Sequence, residues 1–206
     1  MSQQPAFTIG LTGGIGSGKS VVLAELVLRG AIGIEADDLA REVVEPGTDG
    51  FQQVVDAFGT DVVAADGGLD RARLAAIVFA DADQRRRLEA IVHPLVRAET
   101  GRRIAAAPVG SIVVNAVPLL FESGLAGAYD AVVVVMATWA DRLDRLQARG
   151  MSVDQAVERM NAQATDVDRE SIATWVITND GTIERLAAQV DRVWAEIRAS
   201  AAARIT

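Results

Sequence analysis

Short apolar runs alternate along this chain with stretches in which apolar residues recur every three or four positions. Runs typical of buried strands lie at 7–11, 112–114, 131–136 and 175–177, with a weaker run at 30–34. Helical spacing is found at 21–28, 39–44, 141–149 and 184–203, and a further helix is expected to open at 152 with a capping box. This order of elements predicts an α/β fold with a parallel sheet and helices on both faces.

Between residues 50 and 107 the pattern contains no strong buried strand. Apolar residues there follow helical spacing in four segments, at 51–58, 74–79, 88–92 and 95–104. Asp81 precedes Gln84 by three positions, which resembles the start of a helix. We therefore predict a helical insertion that packs on the sheet.

The turn between the first strand and the first helix carries the clearest chemical signal. The phosphate-binding pattern G-x-x-x-x-G-K-[ST] is filled by Gly13, Gly18, Lys19 and Ser20. Glycines let the backbone curl around an anion, and the helix that opens at Lys19 adds unsatisfied amides and a positive dipole end. Lys19 could reach the β- and γ-phosphates, and the Ser20 hydroxyl could bind Mg²⁺. The motif predicts a nucleoside triphosphate site, and Lys19 is the only lysine in the chain.

Composition narrows the class of protein. The chain has 206 residues, enough for a substantial core, and no cysteine, which excludes disulfides, thiolate nucleophiles and cysteine-based zinc sites. No apolar run approaches the roughly 20 residues of a membrane helix, and no signal peptide is visible, so we expect a soluble intracellular protein. The formal net charge of −8 disfavours nucleic-acid binding.

Three carboxylates, Glu35, Asp37 and Asp38, follow the weak second strand. Ligands bind at the carboxyl ends of strands in open α/β sheets, so these side chains are candidates for chemistry. If the strand continues to Asp37, Glu35 and Asp37 share one face. A carboxylate there could accept a proton from an attacking hydroxyl or hold a Mg²⁺-bound water. The alternative is an acidic N-cap for the next helix.

Arginines form a second constellation. One helix stripe carries Arg142, Arg145 and Arg149, and the following helix carries Arg159 and Gln163 on one face. Such a helical hairpin could fold over the phosphate loop and neutralise charge on a transferring phosphoryl group. The alternative is a solvated face whose arginines pair with acidic neighbours.

For two residues, the simplest interpretation is a structural role rather than a role in catalysis or binding. His93 is the only histidine, and a lone histidine is more often structural than catalytic. Asn179 lies in a Thr-Asn-Asp-Gly stretch, for which a plain turn is the default.

Taken together, the motifs resemble those of the dephospho-coenzyme A kinases, in order and over nearly the whole chain. The resemblance is carried by the stretch 10–20, Ala36-Asp37, the stretch 40–44, Pro46-Gly47, Phe58-Gly59, the stretch 69–71, Val78-Phe79, His93-Pro94, the stretch 117–122, Arg145, Arg149, Arg159, Gln163, Asn179 and Gly181. It implies ATP-dependent phosphorylation of the ribose 3′-hydroxyl of dephospho-CoA, the last step of coenzyme A synthesis.

The same resemblance implies an architecture. It is a P-loop NTPase-type parallel five-stranded sheet with helices on both faces, a helical substrate-binding insertion and a helical lid. The implied nucleotide-binding core comprises 1–37, 108–140 and 165–206, the dephospho-CoA-binding region 38–107, and the lid 141–164. The expected ligands are ATP, Mg²⁺ and dephospho-CoA, in a cytoplasmic monomer or weak homo-oligomer without nucleic-acid or membrane partners.

Residue roles are carried over from the resemblance one by one. The implied catalytic residues are Asp37 as the base, Lys19 and Arg145, and Ser20 is the implied metal ligand. ATP binding is assigned to Gly13, Gly14, Ile15, Gly16, Ser17, Gly18, Lys19, Ser20, Val21, Arg145, Arg149 and Asn179. Acceptor binding is assigned to Asp37, Arg71, His93 and Glu122.

This chain departs from the family pattern at three positions, where the family often has Asp, Thr and an acidic residue: Glu35, Val21 and Thr174. Two alternatives remain open. One is a P-loop kinase for another small hydroxyl acceptor, and the other is a nucleotide-dependent switch, which the absence of an Asn-Lys-x-Asp motif disfavours.

Overall fold

The computed structural model describes residues 6–204, which contain one sheet of five strands. The strands are β1 (Phe7–Gly13), β2 (Ile32–Glu35), β3 (Ile112–Ala116), β4 (Ala131–Met136) and β5 (Trp175–Thr178). Their order in the sheet is β2-β3-β1-β4-β5. The β1 strand pairs in parallel with β3 and β4, and β4 pairs in parallel with β5. The predicted α/β fold with a parallel sheet is confirmed.

Nine α-helices occur within the described residues. They are α1 (Lys19–Leu28), α2 (Ala36–Glu42), α3 (Asp49–Phe58), α4 (Arg71–Ala80), α5 (Ala82–Ala106), α6 (Trp139–Ala148), α7 (Val153–Asn161), α8 (Asp166–Ser171) and α9 (Ile183–Ala203). Short 3₁₀ turns lie at Thr60–Val62 and Ala126–Ala128. The predicted capping box at the start of α7 is present, with Ser152 and Gln155 bonding reciprocally.

Three local expectations differ from the structure. The segments predicted at 88–92 and 95–104 form one continuous helix, α5, with Pro94 inside it. The α8 helix was not predicted, because six mostly polar residues are too few to show an apolar period. The condition for Glu35 and Asp37 to share a face, that β2 continues to Asp37, is not met: β2 ends at Glu35 and α2 begins at Ala36. Asp37 therefore lies in the first turn of a helix, and strand alternation does not relate it to Glu35.

The chain divides into two compact units. Among the described residues the first comprises 6–34 and 104–204, and its core lies between the central strands and helices α1 and α9. In this core Ile9 is paired with Val114 and Leu11 with Val133, and all four side chains are buried. The apolar runs on β1, β3 and β4 are buried because both faces of a parallel sheet are covered.

The second unit comprises 35–103 and has its own apolar cluster. Its buried residues are Val44, Val54, Val62 and Leu74. Apolar residues of α5, among them Leu88 and Val92, pack against this cluster. The segment predicted to be a helical insertion therefore is helical and builds a core of its own. No helix within 6–204 is both long and apolar enough to cross a membrane.

Candidate active site

The turn from β1 to α1 depends on glycine conformations. Gly16 and Gly18 have φ angles of 79° and 92°, in the left-handed region that favours glycine. The Ser17 amide closes the turn by donating to the Gly14 carbonyl at 3.0 Å. Gly18 occupies the N-cap position of α1, and no side chain caps this helix. Because no side chain caps the start of α1, the positive end of the helix dipole can face an anion.

Gly13 is required for a different reason, which is close packing. A Cβ at this position would lie 2.5 Å from the main-chain oxygen of Val135 and 2.6 Å from Oγ of Ser17. Real Cβ atoms do not approach that closely, so any side chain at Gly13 displaces the loop from β4. The loop is therefore packed directly on the carboxyl end of the central strands.

Both main-chain polar groups of Ile15 are bound by side chains from outside the loop. The Ile15 amide donates to Oε1 of Gln163 at 2.8 Å. The Ile15 carbonyl accepts a bond of 2.9 Å from Nε of Arg142. These partners lie more than 120 positions away along the chain, Arg142 on α6 and Gln163 between α7 and α8. The expectation that Gln163 shares a helix face with Arg159 is wrong, because α7 ends at Asn161.

The next two carbonyls of the loop are bound in the same manner. Nη1 of Arg145 lies 3.2 Å from the Gly16 oxygen and 3.3 Å from the Ser17 oxygen. The side-chain amide of Asn179 donates to the Ser17 oxygen at 2.8 Å. Since three consecutive carbonyls, 15 to 17, meet donors from other elements, the orientation of their peptide planes is set by tertiary contacts.

Two buried guanidinium groups lie beside this loop. Arg142 is 5% exposed and Arg169 is 2% exposed, and both approach Oδ1 of Asp166, at 3.5 and 3.2 Å respectively. Burial lowers the pKa of Arg142, the nearby Asp166 carboxylate opposes that shift, and the neighbouring Arg169 charge adds to it. A guanidinium remains charged at neutral pH, so both groups need the acidic partner.

Glu122 belongs to the same cluster. Its Oε1 accepts the amide of Ala164 at 2.9 Å and lies 3.8 Å from Nη2 of Arg169. Counting Arg142, Arg169, Asp166 and Glu122, the two positive charges are balanced by two carboxylates. The cluster supports the segment between α7 and α8, which carries Gln163.

The structure brings several of the residues assigned from the sequence to the phosphate loop. Arg145 is half-buried and Asn179 is buried against it, while Lys19 and Ser20 occupy the first two positions of α1. Arg149 is exposed at the end of α6, where it is the C-cap residue. The alternative of a purely solvated arginine face does not hold for Arg142 and Arg145.

Three of the proposed acceptor residues lie in the second unit, and all three are exposed. Asp37 is the second residue of α2, Arg71 is the first residue of α4, and His93 lies in the middle of α5. Sequence motifs singled out these three positions, and in the structure each of them lies in a helix.

Arg169 belongs to this site although no sequence motif predicts a role for it, and the sequence patterns predict no contact for Arg142 or Gln163. Arg169 lies on α8, whose start is marked by a capping box of Thr165 and Asp168. That box was a readable signal for the missed helix. The contacts of Arg142 and Gln163 with Ile15 have no local signature, since they join segments far apart in the chain.

The metal expectation rests on Ser20. Within residues 6–204, no group of three or more His, Cys, Asp or Glu side chains could hold a metal ion. An exposed hydroxyl at the second position of α1 fits Mg²⁺ bound jointly by a protein oxygen and nucleotide phosphates, because Mg²⁺ is seldom held by an all-protein cage in such sites.

Comparison with known proteins identifies the family. The family model for dephospho-CoA kinase matches residues 7–185. The chain belongs to the dephospho-CoA kinase family. It is 51% identical over 200 residues to a dephospho-CoA kinase of Frankia casuarinae, a match covering 97% of this chain and 87% of that protein. It is 53% identical over 190 residues to the enzyme of Streptomyces avermitilis, covering 92% and 93% of the two chains.

A solved structure supports the same fold over almost the whole chain. The crystal structure of TT1252 from Thermus thermophilus is similar with a TM-score of 0.79 and 35% identity, covering 94% of this chain and 98% of that chain. The predicted family, the P-loop fold class and the assignment as a kinase are confirmed. As a member of a kinase family, the chain uses ATP as phosphoryl donor.

Proposed function

We propose that this chain transfers the γ-phosphoryl group of ATP to the ribose 3′-hydroxyl of dephospho-CoA, giving coenzyme A and ADP. This is the final step of coenzyme A biosynthesis. The observation that carries it is a complete phosphate loop, Gly13 to Ser20, within a chain that matches the dephospho-CoA kinase family over residues 7–185.

ATP binding is attributed to the loop and the start of α1. The positive dipole end of the helix, which no side chain caps, favours the phosphates, and Lys19 adds a compact positive charge beside them. Ser20 would hold Mg²⁺, which neutralises charge on the β- and γ-phosphates when it is bound. The remaining nucleotide contacts are assigned to the loop residues Gly14, Gly16, Ser17 and Gly18, with Val21, Arg145, Arg149 and Asn179. Ile15 would contact the nucleotide through its side chain alone, because its main-chain amide and carbonyl are bound by Gln163 and Arg142.

Acceptor binding and proton transfer are attributed to the carboxylate and basic residues singled out by their motifs. Asp37 would orient the 3′-hydroxyl and accept its proton, which makes the oxygen a better nucleophile. Arg71 and His93 offer partners for the phosphates and polar groups of dephospho-CoA. Glu122 is assigned to the acceptor as well, beside its contacts with Ala164 and Arg169.

Nucleotide binding, acceptor binding and closure of the site are attributed to different parts of the chain. Residues 1–37, 108–140 and 165–206 would form the nucleotide-binding core, 38–107 the dephospho-CoA-binding region, and 141–164 the lid. We propose a cytoplasmic enzyme, a monomer or weak homo-oligomer, whose partners are small molecules rather than nucleic acid or membrane. The net charge of −8 supports the absence of a nucleic-acid partner.

The test is a coupled assay of ADP release with dephospho-CoA and a panel of other hydroxyl acceptors, including shikimate, gluconate and nucleosides. We expect multiple turnovers with dephospho-CoA and little with the others, and 3′-phosphorylation visible by ³¹P NMR of the product. Lys19→Ala should abolish transfer, which shows that the activity belongs to this site. Preference for another acceptor, or full activity of Lys19→Ala, contradicts the proposal.

A further inference from the structure

The tip of the phosphate loop is held at both polar groups of a single residue. The Ile15 amide donates to Oε1 of Gln163 at 2.8 Å, and its carbonyl accepts from Nε of Arg142 at 2.9 Å. These two bonds fix the peptide planes on either side of Ile15. We propose that Gln163 is a positioning residue for ATP binding, which acts through Ile15 and does not itself touch the nucleotide.

The orientation of the Gln163 amide is determined by its second neighbour. A side-chain amide can present either oxygen or nitrogen, and the donors around it decide which. Arg169 carries only donors, and its Nη2 lies 3.4 Å from the same Oε1 atom that accepts the Ile15 amide. Two donors therefore converge on one acceptor, and the flipped amide would place its nitrogen against both of them.

Arg169 is in turn held rigidly. It is almost completely buried, with Asp166 at 3.2 Å from Nη1 and Glu122 at 3.8 Å from Nη2. Glu122 also binds the amide of Ala164, the residue next to Gln163. The chain of contacts therefore runs from Glu122 through Arg169 and Gln163 to Ile15.

Arg142 binds the other polar group of Ile15, so Gln163 and Arg142 together form a clamp on this residue. Its Nη2 is buried without a hydrogen-bond partner, and a Cβ added to Gly14 would lie 2.6 Å from that atom. The guanidinium is thus wedged against the loop backbone at Gly14 while its Nε binds Ile15. Gln163 is the acceptor half of this clamp and Arg142 is the donor half.

A loop held in this way keeps one backbone conformation and does not reorganise when the nucleotide binds, and preorganisation of that kind raises affinity. Releasing the Ile15 amide lets the tip of the loop adopt other conformations. Loss of this hydrogen bond should weaken binding of the nucleotide and leave binding of the acceptor unchanged. A general loss of structure would weaken both, so the comparison separates the two explanations.

The experiment uses the full chain and three variants at Gln163, with calorimetric titration of ADP as the first readout. Gln163→Leu removes the acceptor oxygen, Gln163→Asn withdraws it by one methylene, and Gln163→Glu retains it. We expect Gln163→Leu and Gln163→Asn to weaken ADP binding about tenfold, equivalent to about 1.4 kcal/mol, as for one lost buried hydrogen bond. Gln163→Glu should stay within about threefold of the wild type, and Gln147→Leu, the same change at an exposed position of α6, should be neutral.

The second readout is steady-state kinetics, which rests on the proposed function. KM for ATP should rise about tenfold while KM for dephospho-CoA stays within about twofold. The inference is overturned if folded Gln163→Leu binds ADP normally, if both KM values rise equally, or if Gln163→Glu is as defective as Gln163→Leu. Should Gln163→Leu fail to fold, Gln163→Asn decides by the same criteria. If the wild-type protein does not phosphorylate dephospho-CoA, the proposed function fails. The ADP titration still tests the role of Gln163 in that case.

Discussion

Arg145 and Asn179 hold the phosphate loop together and also bind each other. Nη2 of Arg145 donates to the main-chain oxygen of Asn179 at 2.8 Å, and the Asn179 side chain donates to the Ser17 oxygen at the same distance. The main-chain amide of Asn179 donates to the main-chain oxygen of Met136 at 2.7 Å. The residue that follows β5 is therefore tied to β4, α6 and the loop at once, which is more than a plain turn requires.

Asn179→Ala is expected to destabilise the protein by about 1–3 kcal/mol, because a buried hydrogen bond to the Ser17 carbonyl is lost. The KM for ATP should rise as well, since the loop loses one of its restraints. Chemical denaturation measures the first effect and steady-state kinetics the second. Asn161→Ala, at an exposed asparagine of α7, is the matched control and should change stability by less than about 0.5 kcal/mol. Equal effects of the two substitutions would contradict the role of Asn179.

Gly13→Ala should be strongly destabilising. The added Cβ would meet the Val135 oxygen at 2.5 Å, and a backbone atom of a central strand cannot move aside cheaply. We expect a loss of about 1–3 kcal/mol and a large rise in KM for ATP.

Gly101→Ala is the matched control for that substitution. Gly101 lies inside α5. Apart from its chain neighbours and the backbone of its own helix, no atom of the described residues lies within 4 Å of a Cβ built there. Alanine is a better helix former than glycine, so this variant should gain about 0.5–1 kcal/mol. Thermal melting of both variants checks the pair, and a neutral Gly13→Ala would show that the loop can move away from β4.

Asp37→Asn should lower kcat by about 10²–10⁴ while ADP binding is kept, because the substitution removes the proton acceptor and little volume. The neighbouring carboxylate provides the control. Asp38 is exposed and its Oδ1 lies 3.4 Å from Arg41, so Asp38→Asn should leave kcat within about twofold. If Asp37→Asn transfers the phosphoryl group in a single-turnover assay at nearly the wild-type rate, Asp37 is not the base.

Stability should depend on pH through Glu99. Hydrogen bonds first from Arg102 and then from Arg103 lower the pKa of Glu99 from 4.5 to about 2. Because the folded pKa lies below the unfolded one, the stabilisation is present above about pH 4.5 and is lost as pH falls toward 2. The stability difference between wild type and Glu99→Gln should therefore be largest near neutral pH and shrink on acidification.

Urea denaturation at pH 7, 5 and 3.5 measures that trend. Glu196→Gln, at an exposed position of α9, serves as the control for removing one surface carboxylate. A difference for Glu99→Gln that stays constant across this range would mean that its arginine contacts do not persist in solution.

Local sequence determined the elements whose signals are short-range. The apolar run at Ala131–Met136 indicated a buried strand because four of its residues are β-branched valines, and Ser152 with Gln155 marked the start of α7. The phosphate loop was readable because its glycines, Lys19 and Ser20 lie within eight positions. The polar α8 helix has no apolar period, so it was missed despite its capping box.

Only the tertiary structure decided what holds the loop. Ile15 meets Arg142 and Gln163 across more than 120 positions of sequence, and Arg169 joins them from a helix that the pattern did not reveal. Periodicity and motif spacing report on neighbours along the chain, within one helix turn or one pleat. A hydrogen bond between a loop and a distant side chain exists only after the sheet has brought their strands and helices together, so no local pattern could specify it.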